Sequence, residues 1–279
     1  MKLLSFTHRG RKSFGALTGE SIVDLGSFSN YSTMLQAIEA GAVYELIKIA
    51  KNTAPDIRLV DVELDVPLPD ARNYICVGRN YKGHVAEAHA ALPEYPSIFV
   101  RLGNSFVPSG QSIQRPKVSG DFDYEGELAV VIGKGGRHIL REHAISHIMG
   151  YTMLMDGSIR DYQFKHCLVV GKNFFASGSV GPWIVTADEI DDPSSLELRT
   201  RLNGIEVQHT MTDDFIFDIP YIINYISTFT ELQPGDIIAT GTPEGVGFAR
   251  KPPLWLKAGD HLEVEISKIG ILSNTVIDE

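Results

Sequence analysis

The spacing of apolar and polar residues changes several times along the chain and predicts both strands and helices. Leu128 to Ile132 is a continuous apolar, β-favouring run that ends at Gly133, which is typical of a buried strand. Ile148 to Asp156 is a second, mostly apolar run that ends abruptly in an acid. Residues 219–229 instead repeat apolar positions at helical spacing, which predicts an amphipathic helix.

The first part of the chain has a pattern of its own and predicts a small N-terminal α/β domain over residues 1–68. Its predicted elements are strands at 2–7 and 13–24 and helices at 33–40 and 43–51. Residues 52–70 contain three prolines and several acids, which is typical of a connector. The main domain is therefore expected over residues 69–279.

The main domain is rich in strands and turns and poor in helices. Asn203-Gly204 separates two strand-like stretches and predicts a tight hairpin, and two further strands are expected at 261–267 and 271–277. Residues 93–110 are rich in Pro and Gly, which indicates a loop passage that could supply a lid. The predicted fold class is α+β and strand-rich, with a β-roll or sandwich-like body rather than an alternating βαβ sheet.

Composition excludes few functions but narrows the setting. The chain has 279 residues and a net charge of −10, which gives a nucleic-acid partner no general electrostatic support. Cys76 and Cys167 both lie in apolar stretches, so we expect no disulfide framework and a reducing compartment. There is no signal-peptide pattern and no run of about 20 apolar residues. The expectation is a cytoplasmic protein without a membrane partner.

Two acids at the start of the buried run suggest a metal site. Glu125 and Glu127 are two residues apart, so on a strand they project from the same face. Neighbouring carboxylates repel, and an apolar wall makes them costly to ionise. A divalent cation removes both penalties, and oxygen ligands suit Mg²⁺, Ca²⁺ or Mn²⁺. The alternative is the solvent-facing edge of a half-buried strand.

Other candidate residues lie elsewhere in the sequence. Asp156 is either a third ligand or the N-cap of a following helix. Lys172, isolated among apolar and small residues, either reaches the surface or lies near an anion. Thr240 and Thr242 belong to a Gly-rich turn that lacks the P-loop ending, so nucleotide binding is disfavoured, but the turn could hold a carboxylate.

His84 and Glu87 fall on one face of an Ala-rich helical stretch, at positions i and i+3. A carboxylate beside an imidazole orients the ring and raises its basicity, as a general base requires. The alternative is an exposed helix with an incidental His-Glu pair.

Six stretches, taken together and in order, resemble the fumarylacetoacetate hydrolase family. They are Gly78-Arg-Asn-Tyr with His84 and Glu87, Asp123-Tyr-Glu-Gly-Glu-Leu-Ala, Asp156 with Arg160-Asp161 and Gln163, Gly171-Lys172, Gly181-Pro-Trp, and Thr240-Gly-Thr-Pro-Glu-Gly-Val-Gly. The resemblance covers roughly residues 70–279. The preceding part is similar to the small N-terminal domain of many bacterial members.

The resemblance implies a mixed β-roll, a homodimer, and an Mg²⁺ or Mn²⁺ ion, with Ca²⁺ an occupant in a crystal. The implied site residues are metal ligands Glu125, Glu127 and Asp156, catalytic residues His84, Glu87 and Lys172, and substrate-binding residues Arg79, Tyr81, Arg101, Gln163 and Thr242. By the same resemblance, His84 and Glu87 form a dyad on a lid that orders over the substrate.

Members of this family cleave or rearrange small 2-oxo and 1,3-dioxo carboxylic acids. The first expectation is a hydrolase of a C–C bond in an acylpyruvate-like or β-diketo acid, with water activated by the His84–Glu87 pair. The alternatives are a decarboxylase, hydratase or isomerase of 2-oxo acids on the same metal site, and a non-catalytic binding member. The chain departs from the usual family pattern around Met155 and Gly157, at 99–102 and at 175–180, which leaves the substrate open.

Overall fold

The computed structural model describes residues 1–279 as an α+β, strand-rich fold, which confirms the predicted class. The strands are β1 (Lys2–His8), β2 (Arg11–Thr18), β3 (Ser21–Asp24), β4 (Ile57–Arg58), β5 (Glu63–Leu64), β6 (Tyr74–Gly78), β7 (Ser97–Arg101), β8 (Phe106–Pro108), β9 (Ile113–Arg115), β10 (Phe122–Asp123), β11 (Gly126–Ile132), β12 (Ile148–Met155), β13 (Ser158–Ile159), β14 (Gly178–Thr186), β15 (Glu197–Leu202), β16 (Ile205–Met211), β17 (Ile237–Ala239), β18 (His261–Ile266) and β19 (Gly270–Asp278). The helices are α1 (Met34–Glu39), α2 (Val43–Lys51), α3 (Lys82–Glu87), α4 (Arg160–Lys165), α5 (Leu168–Lys172) and α6 (Ile219–Phe229).

Two mixed sheets form the body of the molecule. The larger has 12 strands, with the main order β4-β3-β2-β1-β14-β12-β11-β17-β6-β7 and with β5 and β8 pairing from the side. The smaller has the order β16-β15-β18-β19-β9, and β10 and β13 make a separate pair. None of the helices combines the length and apolar character that crossing a bilayer requires.

Strand β11 runs through the middle of the larger sheet and contributes to two apolar clusters. Leu128 and Val130 pack into the cluster shared with the smaller sheet and α6, whereas Ala129 and Val131 pack into the cluster shared with α1 and α2. Because side chains alternate along a strand, Glu127 lies on the same face as Ala129 and Val131. A continuous apolar run is therefore explained by burial on both faces of β11.

The N-terminal segment continues the large sheet, because β1 pairs with β14 through Lys2–Val185 and Leu3–Ile184. The two predicted helices in this segment are confirmed as α1 and α2. The stretch 13–24, predicted as one strand, is two strands that reverse at Gly19, where φ is +60°. The division of the chain at residue 68 stays a prediction.

In the main domain the hairpin at Asn203-Gly204 and helix α6 are confirmed. The loop passage at 93–110 is only partly a loop, because β7 lies within it and pairs with β6. Both cysteines are free; Cys76 is buried and Cys167 is exposed.

Candidate metal and active site

Three carboxylates converge where two central strands of the large sheet meet. Glu125 lies just before β11, Glu127 is the second residue of β11, and Asp156 follows β12. The strands are antiparallel neighbours, with Gly126 opposite Met155, so the start of β11 lies beside the end of β12. All three acids are buried, and each offers an oxygen within 4.8 Å of the others. The α4 helix is preceded by Ile159 as its N-cap, so Asp156 does not cap it.

Buried cations neutralise two of these acids. Lys172 donates hydrogen bonds from Nζ to Glu125 Oε2 and, at 2.6 Å, to Asp156 Oδ2. Arg160 Nη2 contacts Glu125 Oε1 at 2.6 Å, and Arg101 Nη1 contacts Asp156 Oδ1 at 2.6 Å. Lys172 is thus near an anion, as one of its two sequence interpretations proposed.

Glu127 is the exception, because it makes no ion pair. Its Oε2 accepts one hydrogen bond, from Gly241 N–H at 2.8 Å. Burial raises the pKa of Glu127 well above its usual value, and the charges of Asp156 and Glu125 raise it further. Burial also acts to raise the pKa of Glu125, but the charges of Arg160 and Lys172 outweigh burial and hold that pKa low.

A buried carboxylate without a cationic partner is costly, and a divalent cation between the three acids would remove that cost. Ca²⁺ binds oxygens at about 2.3–2.6 Å and Mg²⁺ at about 2.0–2.1 Å, so two oxygens of one ion lie up to about 5 Å apart around Ca²⁺ and up to about 4 Å apart around Mg²⁺. The oxygens of Glu125, Glu127 and Asp156 lie within 4.8 Å of one another, which is inside the limit for Ca²⁺ and slightly above the limit for Mg²⁺. The residues present therefore fit a hard divalent cation.

Arg160 and Asp123 complete this wall, although neither was selected as a site residue from the sequence. Arg160 Nε donates to Asp123 Oδ2 at 2.8 Å, and its Nη1 donates to Gln163 Oε1 at 2.9 Å. Asp123 also accepts from the backbone N–H groups of Gly247 and Phe248, at 2.7 and 3.0 Å. Both residues stand inside motifs that carry the family resemblance, which was the available signal, but their contacts join segments far apart in sequence.

A second wall of the site contains His84 of the predicted His-Glu pair. His84 Nδ1 lies 3.2 Å from Glu87 Oε1 on helix α3. Glu87 in turn accepts the N–H of Gly245 through both carboxylate oxygens, at 3.1 and 2.9 Å. Gly245 has φ +96° and lies so close to Val207 O that a Cβ would be 2.1 Å away, so only glycine fits there. His84 is buried with its ring beside the cavity, which disagrees with the incidental exposed pair.

Residues of both walls line one cavity of about 320 Å³. Eight of the residues selected from the sequence line it, namely Arg79, His84, Glu125, Glu127, Asp156, Gln163, Lys172 and Thr242. Phe248 also lines the cavity, and its ring centroid lies 4.5 Å from Cζ of the Arg160 guanidinium. No sequence pattern indicated this contact. The volume is at the lower end of the range for small-molecule sites.

Three selected residues lie behind the cavity wall instead. Tyr81 is fully buried against Phe215, with ring centroids 4.8 Å apart. Arg101 is enclosed beneath Asp156, where it also donates to Ser177 Oγ at 3.0 Å. Glu87 reaches the cavity only through His84. The structure therefore does not support direct substrate contact by Tyr81 or Arg101.

Comparison with known proteins gives a match to one family over most of the chain. The protein-family model described as fumarylacetoacetate (FAA) hydrolase C-terminal matches residues 73–277. This range contains all three acids, the His-Glu pair and every residue that lines the cavity.

Two relatives are similar over most of their length. An oxaloacetate tautomerase of Xenopus laevis, named as mitochondrial, is 37% identical over 268 residues, which is 93% of this chain and 83% of the relative. An oxaloacetate tautomerase of Bacillus subtilis (strain 168) is 40% identical over 223 residues, covering 78% of this chain and 74% of the relative.

Among solved structures, a maleylpyruvate hydrolase from Sphingobium sp. SYK-6 in complex with manganese (II) ion and pyruvate has a TM-score of 0.84. The two chains are 30% identical, and the match covers 100% of this chain and 99% of the other. The fold is thus the one that carries a divalent cation and a 2-oxo acid in that hydrolase.

Proposed function

The chain belongs to the fumarylacetoacetate hydrolase family, and from that premise we propose that it is a divalent-cation-dependent enzyme that interconverts keto and enol forms of a small 2-oxo acid such as oxaloacetate. The observation that carries the proposal is Glu127, a buried carboxylate without a counter-ion that lines the same cavity as His84, the imidazole paired with Glu87. The two oxaloacetate tautomerases among its relatives support this choice of reaction.

Glu125, Glu127 and Asp156 would hold the cation, with Mg²⁺ or Mn²⁺ as the expected ion. When bound, it would polarise the keto oxygen of the substrate as a Lewis acid. Lys172 places a positive charge in the same wall, where it would stabilise negative charge that develops on that oxygen. Arg79, Gln163 and Thr242 would contact the rest of the substrate.

The proton transfers fall to His84. Tautomerisation removes a proton from C3 of the keto acid, and the C3–H electron pair forms the C2=C3 double bond. The π pair of the carbonyl moves to the keto oxygen, which takes up a proton, so no co-reactant is needed. With Nδ1 facing Glu87, Nε2 is the ring nitrogen available to take the C3 proton. Glu87, held by Gly245 N–H, would fix the tautomer and orientation of the ring.

Hydrolysis of an acylpyruvate-like or β-diketo acid is the second candidate, and the similarity to the maleylpyruvate hydrolase favours it. In that reaction His84 would instead deprotonate a water that attacks the distal carbonyl, and C–C cleavage would release the enolate of the 2-oxo acid. Decarboxylation or hydration of a 2-oxo acid would use the same site. A homodimer and a cytoplasmic location remain predictions.

The test is an assay of the purified chain with Mg²⁺ or Mn²⁺ against oxaloacetate, acetylpyruvate and fumarylpyruvate. Faster loss of the ultraviolet absorbance of enol-oxaloacetate without CO₂ release supports tautomerisation, whereas pyruvate with a carboxylic acid co-product marks hydrolysis. Calorimetry without any divalent-cation binding would overturn the proposal and favour a non-catalytic binding protein. Protein treated with a chelator serves as the control.

A further inference from the structure

Gly126 stands between the two ligands Glu125 and Glu127, so its backbone sets their relative aim. The peptide group that joins Glu125 to Gly126 is held on both sides. Its C=O accepts the N–H of Asp156 at 2.8 Å, and its N–H donates to Gln208 Oε1 at 3.0 Å. One peptide thus connects the third acid to a side chain of β16 in the smaller sheet.

The next peptide closes a ring of hydrogen bonds around Gly126. Thr242 Oγ1 donates to Gly126 C=O at 3.0 Å, and Gln208 Nε2 donates to Thr242 Oγ1 at 2.9 Å. The second hydrogen of Gln208 Nε2 goes to Pro243 O at 3.1 Å. A flipped amide would direct NH₂ at the N–H of Gly126, so the orientation of Gln208 is determined by its partners.

Side chains of the smaller sheet also restrict the position of the Gly126 backbone. A Cβ at Gly126 would lie 2.3 Å from Thr200 Oγ1 and 3.1 Å from Val264 Cγ1, so the chain between the ligands presses against the smaller sheet. Gln208 is only 2% exposed. Buried, fully satisfied polar networks of this kind define one arrangement of the groups that they join.

We propose that Gln208 is a positioning residue, which fixes the Gly126 backbone and thereby holds Glu125 and Glu127 in the separation that binds the divalent cation. The inference rests on the metal site of the proposed function. It also assigns Thr242 a second task, because Thr242 lines the cavity and its hydroxyl donates to Gly126 C=O. Orienting groups of this type change metal affinity by about 10–100-fold when they are removed.

The test is calorimetric titration of the full chain with Mn²⁺, compared with the free energy of unfolding in the absence of metal. Gln208→Met keeps the length of the side chain and removes both hydrogen-bonding functions, so we expect Mn²⁺ to bind about 10–100-fold more weakly. Asn274→Leu is the matched control, because the buried amide of Asn274 joins the carbonyls of Pro108 and Gln111 and contacts none of the three acids. It should lose stability and keep the wild-type Kd.

The assignment would be overturned if Gln208→Met left the Kd of Mn²⁺ unchanged, or if it weakened Mn²⁺ binding no more than Asn274→Leu does. If Gln208→Met does not fold, Thr242→Val and Thr242→Ser decide the question. Val removes the hydroxyl that closes the ring and should weaken Mn²⁺ binding, while Ser restores the hydroxyl and should recover it. Equal affinity in these two variants contradicts the inference. Wild-type protein that fails to bind Mn²⁺ is a different outcome, which contradicts the proposed function itself.

Discussion

The two walls of the cavity are built in opposite ways. The acidic wall lies on β11 and β12, two neighbouring strands in the middle of the large sheet, and its three carboxylates are at most 5% exposed. The other wall is α3, a helix of six residues in which only His84 and Val85 are buried. Its anchors are the Gly245 N–H on Glu87 and a long contact of 3.4 Å from Gly83 N–H to Asp214.

Because of this difference, substitutions in the two walls should affect different properties of the protein. The acids are tied into a network of buried charges, so changes there should alter cation binding and folding together. Helix α3 has few buried contacts, which is typical of segments that open locally at low cost in free energy. Changes there should alter turnover with little effect on the cation or on the fold.

The largest effect is expected from Glu127. Glu127→Ala should abolish Mn²⁺ binding and activity, because it removes the acid that lacks a protein counter-ion. Calorimetry and a steady-state assay in Mn²⁺-supplemented buffer measure both losses. Retained activity would exclude Glu127 as a ligand.

Glu127→Gln tests the same carboxylate through the pH dependence of protein stability. Because the folded-state pKa of Glu127 is raised, its contribution to stability is fully present below its unfolded pKa of about 4.3 and is lost as pH rises through the folded pKa. Without metal, Glu127→Gln lacks this pH-dependent loss of stability. At pH 8 it should therefore unfold at a higher urea concentration than the wild type. Urea denaturation at pH 5 and pH 8 measures the difference, and a wild type no less stable than the variant at pH 8 would contradict it.

The second-largest effect is expected from Lys172, which carries a buried positive charge in the same wall. Lys172→Met should lower the free energy of unfolding by ~3–5 kcal/mol, because Glu125 and Asp156 then lose their shared buried cation. Mn²⁺ should recover part of this loss by replacing the missing charge. Urea denaturation with and without Mn²⁺ tests both statements, with exposed Lys165→Met as the control. Equal destabilisation by the two variants would show that the network does not depend on Lys172.

The smallest effect on the fold and the cation is expected from the other wall. His84→Ala should lower kcat by about 10²–10⁴-fold, the usual contribution of a general base, and leave the Kd of Mn²⁺ nearly unchanged. His143→Ala, at an exposed histidine outside the cavity, is the control for loss of an imidazole. Weaker Mn²⁺ binding in His84→Ala would remove the distinction between the two walls.

Local sequence determined much of this protein. The period of apolar residues predicted α1, α2, α6 and the buried strand β11, and the Asn203-Gly204 turn pair predicted the hairpin, because each depends on contacts within one short stretch or on the alternation of faces. The same alternation predicted that Glu125 and Glu127 share a face, and helical spacing predicted the His84–Glu87 pair. These statements need no knowledge of how distant segments meet.

Only the tertiary structure decided which segments surround those residues. The antiparallel pairing of β11 with β12 brought Asp156 to Glu125, and the packing of the smaller sheet brought Gln208 and Thr242 to the Gly126 backbone. It also placed Arg101 beneath Asp156 and away from the cavity. Sequence periodicity reports which face of an element is buried, whereas the partner across that face is chosen by the packing of the whole chain, in which contacting residues lie up to 158 positions apart at this site.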